Sequence, residues 1–567
     1  MPSFEIDASF WWPMAAYGAL LVGVSLYFTR MIKSSDDFYG ANGRTSFWFS
    51  GLSFFMTAFS ASVFVANASI AYRHGLLNAL LIVAQIPVFI AGYFIFAARW
   101  RSCGCATVIE FLQKRFSPAT AKFFMWVGIP VRVMESGNRF YVTAVLFEAM
   151  LGVSLLKGSV TTAVITLLST VGGGFLAVVV TDAVQAILLT LIVTVVAGLS
   201  LHAVGGWEGF VANAPEGYWS LATDETGFGV PLIAAWAIVA LFAWNGNWAL
   251  VQRFVAVPGV KDARRVSIIS GVSYYLLFPL IAIPAMAAVV VLPGLDTPQK
   301  AEYAYILMAQ QVLPSGLMAI LCFGLLGATI TAVNADLNVM SQVVIHDMLK
   351  KRLSLTSDRM KLFLGRVVMI VICTLCLALA MKIRDLGGAF QFLVMVLGMT
   401  TLPALMPLLF GLLWPVGGGR AAMGAFCAGI AVSVLLKFGL GAGLAAVIIG
   451  NGLATALVYF GVGLLFPASE QKREEVRALF VTMREKRRHE LKRKFVAVQK
   501  ADSGGRAVAR VAAVTMLLCG VITLGAEFLT PEGAAARGMS ALVALFLFII
   551  GGTIFVLNRE RRGETPR

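Results

Sequence analysis

Charge is what this sequence has least of. Of its 567 residues, 13% are Asp, Glu, Lys or Arg and 59% are hydrophobic, whereas water-soluble domains carry about 25% charge. So scant a polar surface excludes a chain whose main solvent is water. The four histidines, His74, His202, His346 and His489, are scattered, and no acid/base or metal-binding cluster gathers around them; a membrane-embedded enzyme is therefore disfavoured. Seven cysteines show no paired spacing, so no disulfide framework is expected. Cys103 and Cys105 form a Cys-Gly-Cys pair, but two thiolates without further ligands make a poor zinc site, and reduced thiols are expected there. There is no GxxxxGK[ST] phosphate loop, so no ATP-hydrolysing motor is implied in this chain. Glu5 and Asp7 stand where a signal peptide would be basic, and the first apolar run is too long for a cleaved leader, so it is expected to stay in the membrane.

What remains is a succession of apolar runs. A bilayer core is crossed by about 20 such residues in a helix, and runs of that kind cover 10–30, 47–72, 76–98, 118–150, 156–174, 178–204, 229–256, 264–292, 305–346, 361–382, 387–413, 420–438, 442–466, 508–528 and 538–558. The reading is an all-α integral membrane protein with about fifteen transmembrane helices. The net charge of +16 does not point to nucleic acid, because cytoplasmic loops collect Lys and Arg. Most of the 45 basic residues fall on one side when the N-terminus is placed outside and the C-terminus in the cytoplasm. A chain without a motor, in the cytoplasmic membrane, is read as a transporter driven by an ion gradient.

The longest polar stretch, 467–507, holds REKRRHELKRK, and Val476, Leu479, Phe480 and Met483 recur at helical spacing. It reads as a basic cytoplasmic surface helix that either meets anionic lipid headgroups or simply enforces topology. Two spanning runs are interrupted near their middles, by AFSASVF at 58–64 and AWNGNW at 243–248. Irregular backbone at membrane depth is tolerated only where it lines a cavity or is buried in protein. Paired interruptions in corresponding helices of two halves mark an inverted-repeat transporter and its midplane site.

The order of further motifs resembles that of the sodium:solute symporter family, which includes sodium/glucose and sodium/proline symporters. The pieces are DFYGANGR at 37–44, AYRHG at 71–75, TVIEFLQKRF at 107–116, GGGFLAVVVTDAVQ at 172–185, LVQRFVAVPGVKDAR at 250–264 and TAVNADLNVMSQVVIHDMLK at 331–350. The resemblance spans roughly the first 470 residues. It implies a leucine-transporter type fold of two five-helix inverted repeats with peripheral helices. The divisions are then an extra helix and loop (1–46), a first repeat (47–204), a second repeat (229–413), peripheral helices (420–466), the basic segment (467–507) and two C-terminal helices with a short tail (508–567).

The resemblance also implies sodium as coupling ion, with proton coupling and a membrane sensor on the same scaffold as alternatives. The family's sodium site would place carbonyl ligands at Met56 and Phe59 and hydroxyl ligands at Thr331 and Ala332. Ala332 departs from the family by lacking its hydroxyl, and sodium, a hard cation, wants oxygen ligands. Asn334, on the same helical face as Thr331, can supply one. Asp182 matches an aspartate implicated in sodium release; a solvated interfacial acid is the plain alternative.

For the solute, the positions that hold polar sugar contacts in the sugar transporters carry Val63, Ile82, Ala240 and Tyr274 here, and only Trp244 survives of the family's stacking pair, with Ala243 beside it. A free hexose is not expected. The residues assigned to a small organic solute are Ser60, Ser62, Val63, Gln85, Glu135, Arg139, Trp244, Asn245, Asn247 and Tyr274, with Thr401 as a further polar candidate. Arg132, Glu135 and Arg139 share one helical face near mid-membrane, where ionisable groups are costly and functional by default. One reading gives their surplus positive charge to a substrate carboxylate; the other pairs it with an acid such as Asp336.

Overall fold

The computed structural model describes residues 8–29, 45–221, 229–349, 357–386, 388–492, 503–528 and 534–557. Every element among them is a helix. In chain order they are α1 (Ala8–Thr29), α2 (Phe47–Ala58), α3 (Val63–His74), α4 (Leu77–Ser102), α5 (Val108–Arg115), α6 (Pro118–Leu151), α7 (Leu155–Ala203) and α8 (Gly206–Asn213). The second half holds α9 (Val230–Gly246), α10 (Trp248–Val255), α11 (Val260–Val291), α12 (Ala304–Val312), α13 (Ser315–Gln342), α14 (Asp358–Ala380) and α15 (Gly388–Leu413). After these come α16 (Gly419–Gly439), α17 (Leu444–Leu465), α18 (Glu470–Lys492), α19 (Ser503–Phe528) and α20 (Ala534–Leu557).

Among the described residues, eight helices are long and apolar enough to cross a bilayer, or eleven spans if each bent pair is one. The count is lower than the expected fifteen. The runs 156–174 and 178–204 join in one continuous helix, α7, straight through the glycines at 172–174. Helices α1, α19 and α20 are 22, 26 and 24 residues long, and a bilayer core is crossed by about 20. The run 305–346 is also divided, because Pro314 forces Leu313 into an extended conformation (φ −99°, ψ 139°) between α12 and α13.

The centre of the molecule is α13. Its residues Gly316–Gln342 are all buried, so a helix that is apolar nearly all round finds protein on every side. Around it pack α6, α7, α1, α2 and α14. Tyr17 of α1 reaches across to α19, where its hydroxyl donates to the Cys519 carbonyl (3.2 Å) and meets Thr523 Oγ1 at 2.8 Å. The outside loop expected at 205–228 lies over the end of α3 as far as it is described: Tyr218 donates to the Ala71 carbonyl (2.7 Å) and its own carbonyl accepts from Leu76 N–H (3.1 Å).

The segment 467–507 forms α18 as far as Lys492, and residues 493–502 lie outside those described. The apolar face predicted from the sequence is covered by protein. Val476 and Met483 are buried, and Arg115 stands 5.9 Å from the Phe480 ring. Lys472 Nζ donates to the Lys114 carbonyl (3.0 Å), and Glu490 accepts from Val260 N–H (2.7 Å), capping the first turn of α11. Any lipid contact of α18 therefore falls to its basic face.

Candidate functional site

Both interruptions are present. The chain bends by 59° between α2 and α3 and by 50° between α9 and α10. At the first, Phe59 takes an extended conformation (φ −86°, ψ 142°), and its N–H still closes on the Phe55 carbonyl at 2.8 Å. Beyond that, among the described residues, no backbone N–H donates to the carbonyls of Met56, Thr57, Ala58 or Phe59. Carbonyl dipoles collected at a half-helix end without donors form a cation-attracting edge. At the second break Asn247 Oδ1 accepts from Ala249 N–H (2.9 Å) and Leu250 N–H (3.4 Å), so the asparagine in AWNGNW starts α10 as its N-cap.

Between the two breaks lies a cavity of about 220 Å³. Its wall holds nine of the ten residues assigned to the solute: Ser60, Ser62, Val63, Gln85, Glu135, Arg139, Trp244, Asn247 and Tyr274. The tenth, Asn245, is turned away. Its Nδ2 donates to the carbonyls of Val88 (3.2 Å) and Leu241 (2.9 Å), tying α9 to α4. Ile82 is buried off the wall, and its neighbour Leu81 takes that place. Thr401 lines a smaller pocket together with Arg132, Glu135 and Trp248.

Much of the cavity wall is apolar. Tyr274 stacks on Phe278 at 3.9 Å between centroids and meets Trp244 edge-on at 5.7 Å, and Trp236, Val239 and Leu393 extend the surface. Against it stand a few polar groups. Gln85 is buried, and its Oε1 has no hydrogen-bond partner among the described residues. Asn67 was missed in the sequence because its segment reads as plain spanning helix; it also lines the wall.

The charges of α6 meet the partner named as one alternative. Asp336 of α13 accepts from Arg132 at 3.1 Å, from Arg139, and from Ser136 Oγ at 3.2 Å. Arg132 also lies 3.6 Å from Glu135 and 5.6 Å from the Trp248 ring. Both arginines thus pair with Asp336, the second of the two readings of their charge. The network nonetheless opens on the cavity through Arg139 and Glu135.

Around the expected sodium ligands the structure adds two residues. Thr331 Oγ1 donates to Gln185 Oε1 at 2.6 Å, so Gln185 brings an amide oxygen to Thr331. Asn334 Nδ2 donates to Ser169 Oγ (2.9 Å), and Asn338 Oδ1 is buried without a partner. Asp182 is fully buried and accepts from Ser53; it also lies beside Thr331. It is therefore not a solvated interfacial acid. Facing it at 3.8 Å is Arg253, likewise fully buried, which donates to Ser53 Oγ (3.2 Å) and the Ala249 carbonyl (2.8 Å). Arg253 went unremarked within LVQRF because one basic residue near a loop reads as a topology signal.

The profile of the "Sodium:solute symporter family" matches residues 38–431. A sodium/glucose cotransporter of Vibrio parahaemolyticus is 25% identical over 461 residues, covering 75% of this chain and 84% of that protein. A sodium/sialic acid symporter of Aliivibrio fischeri is 23% identical over 376 residues, 63% of this chain and 73% of the relative. Among solved structures, a substrate-bound, outward-open sodium-coupled sialic acid symporter superposes with a TM-score of 0.73 at 17% identity, over 82% of this chain and 99% of the other. With a family profile matched over most of its length and the fold of that relative, the chain belongs to the sodium:solute symporter family.

Proposed function

We propose that this protein couples sodium entry to the uptake of a small organic solute other than a free hexose, bound in the cavity between the two helix breaks. The observation that carries this reading is the wall itself. The relatives' named solutes include glucose and sialic acid, so family membership does not choose among them. A hexose buried against Val63, Ala240 and the aromatic face of Tyr274 and Phe278 would lose about 1–3 kcal/mol for each hydroxyl left unpaired. An apolar body with one acidic end fits better. Arg139 stands on the wall as the donor for a carboxylate, and the partnerless Gln85 Oε1 accepts from a hydroxyl or N–H elsewhere on the solute.

Sodium is assigned to the donor-free carbonyls of Met56 and Phe59, with Thr331, Asn334 and the Gln185 amide oxygen completing the shell. Asp182 is assigned to its release path. The solute site and the ion site share the α2–α3 break, so filling one orders backbone that the other uses, and that sharing is the physical basis of coupling.

The test is uptake into proteoliposomes under an imposed sodium gradient, over a panel of apolar monocarboxylates with glucose and galactose as comparators. Sodium-dependent accumulation of an acid, abolished by Arg139→Gln, is expected. Sodium-dependent uptake of either hexose at micromolar concentration overturns the non-hexose assignment. Full acid transport by Arg139→Gln removes the carboxylate contact alone. Tight binding without counterflow of labelled solute makes the protein a sensor instead.

A further inference from the structure

The docking of α18 has a consequence at the membrane surface. By capping α11 through Glu490 and gripping the α5 end through Lys472, the helix carries Arg484 and Arg487 to the cytoplasmic ends of α4 and α11. There they meet Arg99 and Arg264. Arg487 lies within electrostatic range of Arg264 and Arg484, and Arg99 within range of Arg264 and Arg487. Burial and these neighbouring guanidiniums hold Arg487 below the ordinary arginine value.

None of the four is neutralised. Among the described residues no carboxylate pairs with them: Asp262 is taken by Arg265 at 3.2 Å and Glu490 by the α11 backbone. Arg99 spends one nitrogen on the Ile95 carbonyl (2.7 Å), Arg264 lies 5.5 Å from the Tyr93 ring, and Arg264 Nε is buried without a hydrogen-bond partner. Like charges held together at partial burial are costly unless an anion compensates them.

The surface beside the cluster is apolar. On α11, Ile268, Val272 and Leu276 follow Arg264 at intervals of four, so all four residues share a helical face, and the three apolar ones are exposed by 47, 64 and 55%. On α4, Ile90 and Phe94 are likewise exposed. The two helices touch, Ser267 Oγ donating to the Phe89 carbonyl at 3.1 Å. A row of exposed side chains long enough for an acyl chain thus ends in unpaired arginines at headgroup level.

We propose that the junction of α4, α11 and α18 is a binding site for an anionic phospholipid, its phosphate among Arg99, Arg264, Arg484 and Arg487 and its acyl chain along Ile268, Val272 and Leu276. One bound lipid then ties the cytoplasmic helix to one helix from each half of the transporter. A soluble phosphate offers the same charge but nothing for the apolar row.

The experiment uses the full-length protein in a neutral detergent, titrated separately with dioleoylphosphatidylglycerol, dioleoylphosphatidylcholine and inorganic phosphate. Phosphatidylglycerol should raise the unfolding midpoint by at least about 2 °C and be retained in native mass spectra, while the other two leave both unchanged. The triple substitution R99Q/R264Q/R487Q should abolish the shift and cut lipid retention about tenfold. The triple R473Q/R477Q/R488Q, which removes as much charge from exposed positions of α18, should keep both. Should the first triple fail to fold, R487Q alone, on the outer helix, should at least halve retention. Equal stabilisation by inorganic phosphate overturns the lipid assignment, as does equal stabilisation by phosphatidylcholine. Equal loss in the two triple variants reduces the effect to diffuse surface charge and also overturns it.

Discussion

At the scale of single residues, the side chains that decide this protein are buried polar groups that changed meaning once their partners were visible. The sequence left Arg132 and Arg139 between a substrate carboxylate and an acid such as Asp336, and the structure pairs both with Asp336, about two hundred positions away in α13. A buried arginine without a partner would be prohibitive, and Asp336 makes the pair tolerable. The network thereby becomes a rigid wall for the cavity, with Arg139 at its edge. In the proposed sodium shell Gln185 has the corresponding part. Its amide oxygen accepts from Thr331 Oγ1 at 2.6 Å, one residue before Ala332 in the chain. Adding the missing oxygen with Ala332→Ser should lower the half-saturating sodium concentration, and Gln185→Leu should raise it by about tenfold, the cost of one good ion–oxygen contact. Sodium titrations of solute uptake measure both. Wild-type sodium dependence in the two variants would remove this shell from the mechanism.

At the scale of elements, the broken helices were legible because they violate a strong rule. SASV and NGN do not belong at membrane depth unless their backbone lines a cavity, and both interruptions and the cavity stand where that rule placed them. Nine of ten assigned wall residues followed from the same rule and the family resemblance. Asn245 did not, because helical rotation decides which of two neighbouring amides faces in, and only packing against Val88 fixes that rotation. The half-helix α10 depends on a feature that hydropathy does not register. A Cβ on Gly128 would lie 2.4 Å from the Trp248 ring, so this glycine lets α10 lean on α6 with Trp248 near Arg132. Gly128→Ala should force that ring away at about 1–3 kcal/mol and depress uptake about tenfold while membrane insertion and expression persist. Wild-type uptake by that variant would show that the approach of α10 to α6 is not needed for transport.

For the whole molecule, we propose from the distribution of positive charge an orientation with α18 and the C-terminus in the cytoplasm and the loop around Tyr218 and the N-terminus outside. Cysteines introduced at Ser220 and Ser503, in a background with the exposed Cys427 replaced by serine, should differ in intact cells. The impermeant thiol reagent should label Ser220→Cys and spare Ser503→Cys; the reverse pattern overturns the orientation.

What the sequence determined by itself is everything that follows from composition and local order: a membrane chain, helical throughout, broken at two places, with the motifs of a sodium:solute symporter in their proper sequence. Those properties are local, because the bilayer forces each spanning segment to satisfy its own backbone and so to declare itself in its own residues. Tertiary structure decided what depends on distant parts meeting. It joined two expected helices into α7, set α1 against α19, covered the apolar face of α18 with protein, and gave Asp182 its Arg253 and the α6 arginines their Asp336. Partners of that kind lie in other helices, and the charge or hydropathy of a segment carries no record of which neighbour will stand opposite it.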